Sequence, residues 1–260
     1  MSNRSGSGEI WVCDSDGANA QQLTSIGGAL TGTPRWSPDG KQIAFDSRAG
    51  GEANVYLIDA SGGVPRRVET GTRVNSLPSW SHDGSWLYFV NAPAGSSPTV
   101  WRVAAAGGHA VQLTKTASLM PIESPDGRYV YFVRNTEGKF RLWRIRPDGS
   151  DEVMVDGMPP LGSPGPEWWP VQSGIYFYGN VAGKQEIDLL DFRTSRIRRI
   201  YTPDKPPEPS SSATSRNPQA AVQCPDTWGG GLAVSLDGKW LLYSRIDETA
   251  SDLMLVDNFH

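Results

Sequence analysis

A five-residue turn recurs along the chain, each time just before a short apolar run. It reads Trp36-Ser37-Pro38-Asp39-Gly40, Trp80-Ser81-His82-Asp83-Gly84 and Glu123-Ser124-Pro125-Asp126-Gly127. A weaker copy is Val234-Ser235-Leu236-Asp237-Gly238, and a degenerate one is Pro170-Val171-Gln172-Ser173-Gly174. The closing glycines of the first three copies lie 44 and then 43 residues apart. A strand-based unit of this length cannot bury its apolar face alone and must stack on copies of itself. A period of roughly 40–45 residues is that of a β-propeller blade. The expected fold is all-β, a propeller of four-stranded antiparallel blades.

Turn chemistry accounts for every member of the motif. Pro38 and Pro125 pre-set φ for the first corner of a type I turn, Asp tolerates the second, and Gly supplies the left-handed residue that closes the hairpin. The Ser hydroxyl can bond the turn backbone. A carboxylate recurring in every blade could be taken for a catalytic or metal-binding group. The turn explains it without chemistry, so Asp39, Gly40, Asp83, Gly84, Asp126, Gly127, Asp237 and Gly238 are read as structural.

The apolar runs that follow, such as Ser85-Trp86-Leu87-Tyr88-Phe89-Val90 and Arg128-Tyr129-Val130-Tyr131-Phe132-Val133, are rich in aromatic and β-branched residues and read as strands. A second motif is phased with the first: an apolar strand, a Gly-containing turn and another strand. Its copies include Ile10-Trp11-Val12-Cys13 with Gln22-Leu23-Thr24, Val55-Tyr56-Leu57-Ile58 with Arg67-Val68, and Val100-Trp101-Arg102-Val103 with Gln112-Leu113-Thr114. Each period therefore holds two hairpins, which make one four-stranded blade.

The pattern Pro-x-Trp-Ser-Pro-Asp-Gly-Lys-x-Ile-Ala-Phe, followed by an Ile-Trp/Tyr-Val strand and Gln-Leu-Thr, resembles the TolB-like, WD-repeat-like propeller repeats. The resemblance covers nearly the whole chain outside residues 202–230. The closing run, Trp240–Ser244 and Ser251–Phe259, with Lys205-Pro206-Pro207 before it, is similar to the C-terminal propellers of acidobacterial winged-helix regulators and Ser/Thr kinases. The resemblance implies a propeller module; DNA binding or kinase activity would belong to other domains.

Counting from the turns gives five blade cores preceded by a lone outer hairpin at residues 9–24. The first blade lacks its inner strands and the last its fourth strand, so about six blades are expected, the first and last incomplete. The chain is read as one propeller spanning residues 1–260 and as the C-terminal portion of a longer protein. Residues 202–230 break the period with Pro203, Pro206, Pro207, Pro209, Ser210-Ser211-Ser212 and Gly229-Gly230-Gly231. This is a Pro/Ser/Gly-rich insert between the last two blades, expected as a surface loop.

Ten Trp suit aromatic blade packing, and a net charge of −4 leaves no nucleic-acid footprint. Two clusters, Arg141, Arg144 and Arg146, and Arg193, Arg196, Arg198 and Arg199, are read as solvated strand faces. No apolar stretch reaches the length of a membrane span. Cys13 and Cys224 are too few for a disulfide framework and are read as free thiols. The compartment, cytoplasmic or periplasmic, is left open.

The three histidines, His82, His109 and His260, have no metal-ligand spacing. There is no Gly-x-Ser-x-Gly elbow and no phosphate-cradling glycine loop. No catalytic residue, cofactor or metal is therefore expected. Loops entering the inner strands face the funnel of a propeller, and they carry Arg35, Arg73, Asn75, Ser79, Glu123, Glu167 and Trp168 as candidate ligand-binding residues. The expected function is a monomeric, non-catalytic scaffold that binds a protein or peptide, the sensory or interaction part of a bacterial signalling or regulatory protein. The alternatives are the gating propeller of a prolyl-oligopeptidase-like peptidase and a periplasmic TolB-like scaffold.

Overall fold

In a computed structural model of the chain, all residues are described except 3–4, 28–29, 182–183, 204–230, 236–237, 248–249 and 258–260. The described residues form strands and turns and no helix. An isolated hairpin comes first, β1 (Trp11–Val12) with β2 (Gln21–Gln22). Two four-stranded antiparallel meanders follow. One is β3 (Thr31–Trp36), β4 (Gln42–Gly50), β5 (Glu52–Asp59) and β6 (Arg66–Arg67). The other is β7 (Asn75–Trp80), β8 (Trp86–Asn91), β9 (Thr99–Ala104) and β10 (Val111–Gln112). The strands β11 (Leu119–Glu123), β12 (Val130–Thr136), β13 (Lys139–Ile145) and β14 (Val153–Met154) repeat that order. So do β15 (Trp168–Val171), β16 (Gly174–Val181), β17 (Lys184–Asp191) and β18 (Arg196–Tyr201). The chain ends in a three-stranded sheet of β19 (Leu232–Val234), β20 (Trp240–Asp247) and β21 (Ala250–Asp257). This is the strand inventory that the spacing of the turns predicts, with a lone outer hairpin first and, among the described residues, three strands in the last sheet.

Contacts divide the chain into two units, Met1–Glu123 with Arg146–Ser150, and Ser124–Ile145 with Asp151–His260. In the first, the inner strands of neighbouring blades sandwich apolar side chains. Ala44, Val55 and Leu57 pack with Leu87, Phe89 and Val103, and Ile10 and Leu23 pack with Ile43, Phe45 and Ile58. In the second, Tyr176, Ile187 and Leu189 pack with Leu232, Val234, Leu241 and Tyr243. Each cluster takes alternate residues from strands of successive sheets, as a period of two requires.

The recurrent turn is built as its residues demand. The Ser37 amide donates to the Gln42 carbonyl at 2.8 Å and the Gly40 amide to the Ser37 carbonyl at 2.9 Å. Ser37 Oγ donates to Asp39 Oδ1 at 2.6 Å and accepts the Gln42 amide at 2.9 Å. Asp39 Oδ1 also accepts the Lys41 amide at 3.1 Å. Ser81–Asp83 and Ser124–Asp126 repeat these bonds, with Ser–Asp distances of 2.6 Å in both. Gly40, Gly84, Gly127 and Gly238 have φ between 68° and 72°, so all four are left-handed. Asp237 lies outside the described residues, although Ser235 Oγ still accepts the Trp240 amide at 2.9 Å.

Gly174 departs from the expected role. Val171 pairs directly with Gly174 across a two-residue turn, and Gly174 is not left-handed. A Cβ there would run into the Leu190 carbonyl of the neighbouring strand. The glycine permits a close strand approach instead of closing a bulge.

A second backbone feature also recurs. Thr33, Leu77 and Met120, with φ of 46°, 55° and 55°, each precede a proline, Pro34, Pro78 and Pro121. The ladder slips at these points in two blades, between Gly32 and Arg35 and between Ser76 and Ser79. A following proline disfavours the right-handed helical region, and the left-handed one costs a non-glycine residue about 1–2 kcal/mol. The innermost strand is thus bulged at the same place in successive blades.

Candidate binding surface

Most of the residues expected to line the funnel are engaged in holding the fold. Asn75, 1% exposed, is a hub in β7. Its Nδ2 donates to Thr70 Oγ1 at 3.0 Å and the Thr72 carbonyl at 3.1 Å, while its Oδ1 accepts from Thr72 Oγ1 and from Asn91 Nδ2. Glu167 is buried and closes the preceding loop by accepting Ser163 Oγ at 2.7 Å. Trp168 is fully buried, edge-on to Tyr131 with ring centroids 6.4 Å apart, so it presents no face to a partner. Ser79 is buried beside Tyr88 in the β7–β8 register, its hydroxyl without a partner among the described residues. Arg35 is partly buried and reaches the Pro34 carbonyl at 3.3 Å. Desolvation pulls its pKa down to about 10, against the opposing charge of Asp46. Arg73 is the most open of the seven, paired fork-to-carboxylate with Glu52 at 2.7 and 2.9 Å. No described contact gathers these residues into one cluster.

Glu123 is different. It ends β11, and its buried carboxylate accepts three donors: the His82 amide at 2.6 Å, His82 Nδ1 at 2.9 Å and the Tyr88 hydroxyl at 2.5 Å. Burial pushes the Tyr88 hydroxyl well above the ordinary tyrosine range, and the bond and charge of Glu123 push it further, so Tyr88 remains the donor. These contacts join two departures from the repeat. His82 stands where the first and third turns have Pro38 and Pro125, and Glu123 stands where the first two have Trp36 and Trp80. One blade earlier the Trp80 indole N–H donates to the Arg35 carbonyl at 3.0 Å. Where the Trp is lost, a carboxylate replaces it, and the proline is replaced by a residue with an N–H to offer. His82 was visible in the sequence as an exception, but its partner lies 41 residues away.

The turns of the first two complete blades also enclose a cleft of about 380 Å³, lined by Ser37, Pro38, Asp39, Gln42, Trp80, Asp83, Gly84 and Ala105. The turns touch there, since a Cβ on Gly84 would sit 3.8 Å from Pro38 Cδ. Both carboxylates lie low on the pH scale. The Ser37 hydroxyl and then the Lys41 amide lower Asp39, and the Ser81 hydroxyl and then the Ser85 amide bring Asp83 down to about 2. Each is thus an anion fixed in a turn, unsuited to taking up protons near neutrality. Trp36, 54% exposed, stands at the start of the first turn. The surface offers negative charge, proline and aromatic walls, which suit contact with a chain segment. Among the described residues no group of His, Cys, Asp and Glu could hold a metal ion, and Cys13 is a free, exposed thiol. Cys224, His260 and nearly all of the insert lie outside the described residues.

Residues 1–210 match the family model described as the TolB beta propeller domain. A TolB homolog of Chlorobium chlorochromatii is 34% identical over 136 residues, covering 51% of this chain and 30% of that protein. The chain thus matches less than a third of that relative's length. The crystal structure of TolB from Acinetobacter baumannii superposes with a TM-score of 0.71 at 16% identity, covering 96% of this chain and 57% of that one. A putative TolB from Agrobacterium tumefaciens gives 0.66 at 17% identity, covering 92% and 81%. At these identities the superpositions carry the fold, an all-β propeller of four-stranded antiparallel blades. With four-fifths of its length matched by the family model, the chain belongs to the TolB β-propeller domain family.

Proposed function

We propose that this chain is a non-catalytic propeller scaffold that holds a protein or peptide partner, within a larger bacterial protein. The observation that carries the reading is how the recurrent carboxylates are used. Asp39, Asp83 and Asp126 each spend Oδ1 on a Ser hydroxyl and a backbone amide of their own turn or are held low by such bonds. A nucleophile, base or metal cage would need those groups directed at a shared point. Similarity to TolB proteins supports a scaffold role. A sensory or interaction role in a signalling or regulatory protein is the finer form of this proposal. A periplasmic TolB-like scaffold is the second reading, favoured by the similarity to TolB proteins. Binding is assigned to the cleft and the exposed Trp36, with Arg73 the most accessible of the funnel candidates.

The test is selection of displayed random peptides on the purified chain, then calorimetry and mass spectrometry of the selected peptide. Saturable binding is expected, weakened by Ala105→Arg, which fills and neutralises the cleft, with the peptide recovered intact. Failure to select any peptide, or cleavage of the bound peptide by the chain, would overturn the proposal.

A further inference from the structure

The outermost strand of a blade is where a sheet exposes unpaired backbone, and proteins blunt such edges by keeping them short or charged. In this chain β2, β6, β10 and β14 are each two residues long. In the β3–β6 blade, Arg66 of the short edge strand also reaches across to the Ala105 carbonyl at 3.1 Å. By contrast β18 is six residues long, and it is the last strand of its sheet among the described residues. Its first four residues, Arg196, Ile197, Arg198 and Arg199, are all exposed, Ile197 at 47%.

The register fixes what this edge presents. Arg196, Ile197 and Arg198 lie opposite Asp191, Leu190 and Leu189 of β17, and the ladder is regular there. The irregularity falls further on, between Ile187 and Asp188. Side chains alternate, so Arg196 and Arg198 project to one face and Ile197 to the other. Arg199 is engaged with Glu186 at 2.5 Å. Arg196 and Arg198 have no such ion pair among the described residues, and Arg193 adds a third exposed cation just before the strand. This local charge is opposite in sign to the chain's net charge of −4.

We propose that β18 is a docking edge for an extended acidic segment of a partner protein, which adds to the sheet as a fifth strand. Backbone hydrogen bonds supply the pairing, acidic side chains on alternate positions meet Arg196 and Arg198, and apolar ones between them cover Ile197. A second copy of this chain is disfavoured as occupant, because edge-to-edge pairing sets arginine against arginine. Charges on an edge strand also protect it, but cations repel a basic strand, lose hydration against an apolar one and attract an acidic one. The edge shares no residue with the cleft between the first two turns, so the proposal stands or falls independently of it.

The test uses the full 260-residue chain and a labelled (Glu-Val)4 peptide, read by fluorescence anisotropy at low and high salt. The peptide is expected to bind, and (Lys-Val)4 is not. Arg196→Glu with Arg198→Glu should weaken binding at least about tenfold while leaving the circular dichroism melt in place. A (Glu-Val)4 peptide N-methylated at every residue, which keeps its charge and loses its backbone donors on both edges, should bind no better than (Lys-Val)4. No binding of (Glu-Val)4, equal binding by the double variant, or equal binding of the N-methylated peptide would each overturn the proposal. A shift to dimer in light scattering without peptide would place a second copy at this edge and would overturn it too.

Discussion

Replacing Glu123 by Ala should destabilise the chain by about 3 kcal/mol, and the figure follows from which donors it strands. Tyr88 is 1% exposed, and its hydroxyl would be left buried without the acceptor it now has at 2.5 Å. An unsatisfied buried donor costs about 1–3 kcal/mol. The His82 amide is part-buried and loses its bond, which adds roughly 1 kcal/mol. The His82 ring is 47% exposed and turns to water, so its share is small. Against a typical stability of about 5–15 kcal/mol this is a large fraction. At roughly 2–4 °C per kcal/mol for a chain of this size, Tm should fall by about 6–12 °C. Urea unfolding followed by tryptophan fluorescence and circular dichroism measures it directly. A cycle with Tyr88→Phe should show that the two losses are not additive, since Tyr88→Phe removes the donor that Glu123→Ala strands. A loss below about 0.5 kcal/mol, or additive losses, would refute the reasoning.

The clamp should also be convertible. His82→Pro combined with Glu123→Trp restores the residues used one blade earlier, so the double variant is expected to melt above either single variant; a melting point below both would show that the pairs are not equivalent. Stability should fall in acid as Asp83 titrates. Its folded pKa of about 2 lies below the ordinary 3.8, so its contribution is present above pH 4 and lost as pH falls from roughly 4 towards 2. Urea midpoints against pH check this, and Ser81→Ala should flatten that limb. At the alkaline end Tyr88 is raised in the folded state, so its contribution is whole below about pH 10 and is lost above it. Tyr88→Phe should remove that alkaline loss from the same pH series. Gly174→Ala should cost about 3 kcal/mol or more because the new Cβ meets backbone. Gly40→Ala, at φ 69° in open space, should cost only about 1–2 kcal/mol in the same urea assay.

Much of the architecture was legible because each blade announces itself locally. Trp-Ser-Pro-Asp-Gly specifies a turn from five adjacent residues, and its phase places two strands on each side. Gln-Leu-Thr was legible as a strand end, and its reason appears in space: Thr24 and Thr114 Oγ1 accept the amides of Ile10 and Val100, both at 2.9 Å. The left-handed residues before Pro34, Pro78 and Pro121 were missed, although the recurring proline was a visible signal. Non-glycine residues seldom take that conformation, so propensity argues against it. Gly174 was misjudged because a glycine at a turn and a glycine at a close strand contact look alike in one dimension. The site fared worse for the same reason. Burial of Trp168, Glu167 and Asn75 depends on packing between strands far apart in sequence, and a loop position alone cannot distinguish a packed side chain from an open one. His82 and Glu123 were each visible as exceptions to the repeat. Their pairing needed the register of one blade against the next.

The central claim is that the recurring aspartate is a hinge of the fold and not a catalytic or metal-binding group. The most direct measurement is a double-mutant cycle of Ser→Ala and Asp→Asn in each of the three turns, at Ser37 and Asp39, Ser81 and Asp83, and Ser124 and Asp126, read by urea unfolding. The predicted result is coupling of the same sign in all three, because each Ser–Asp bond of 2.6 Å is the same structural element. Additive losses in every turn, or coupling confined to one of them, would contradict it.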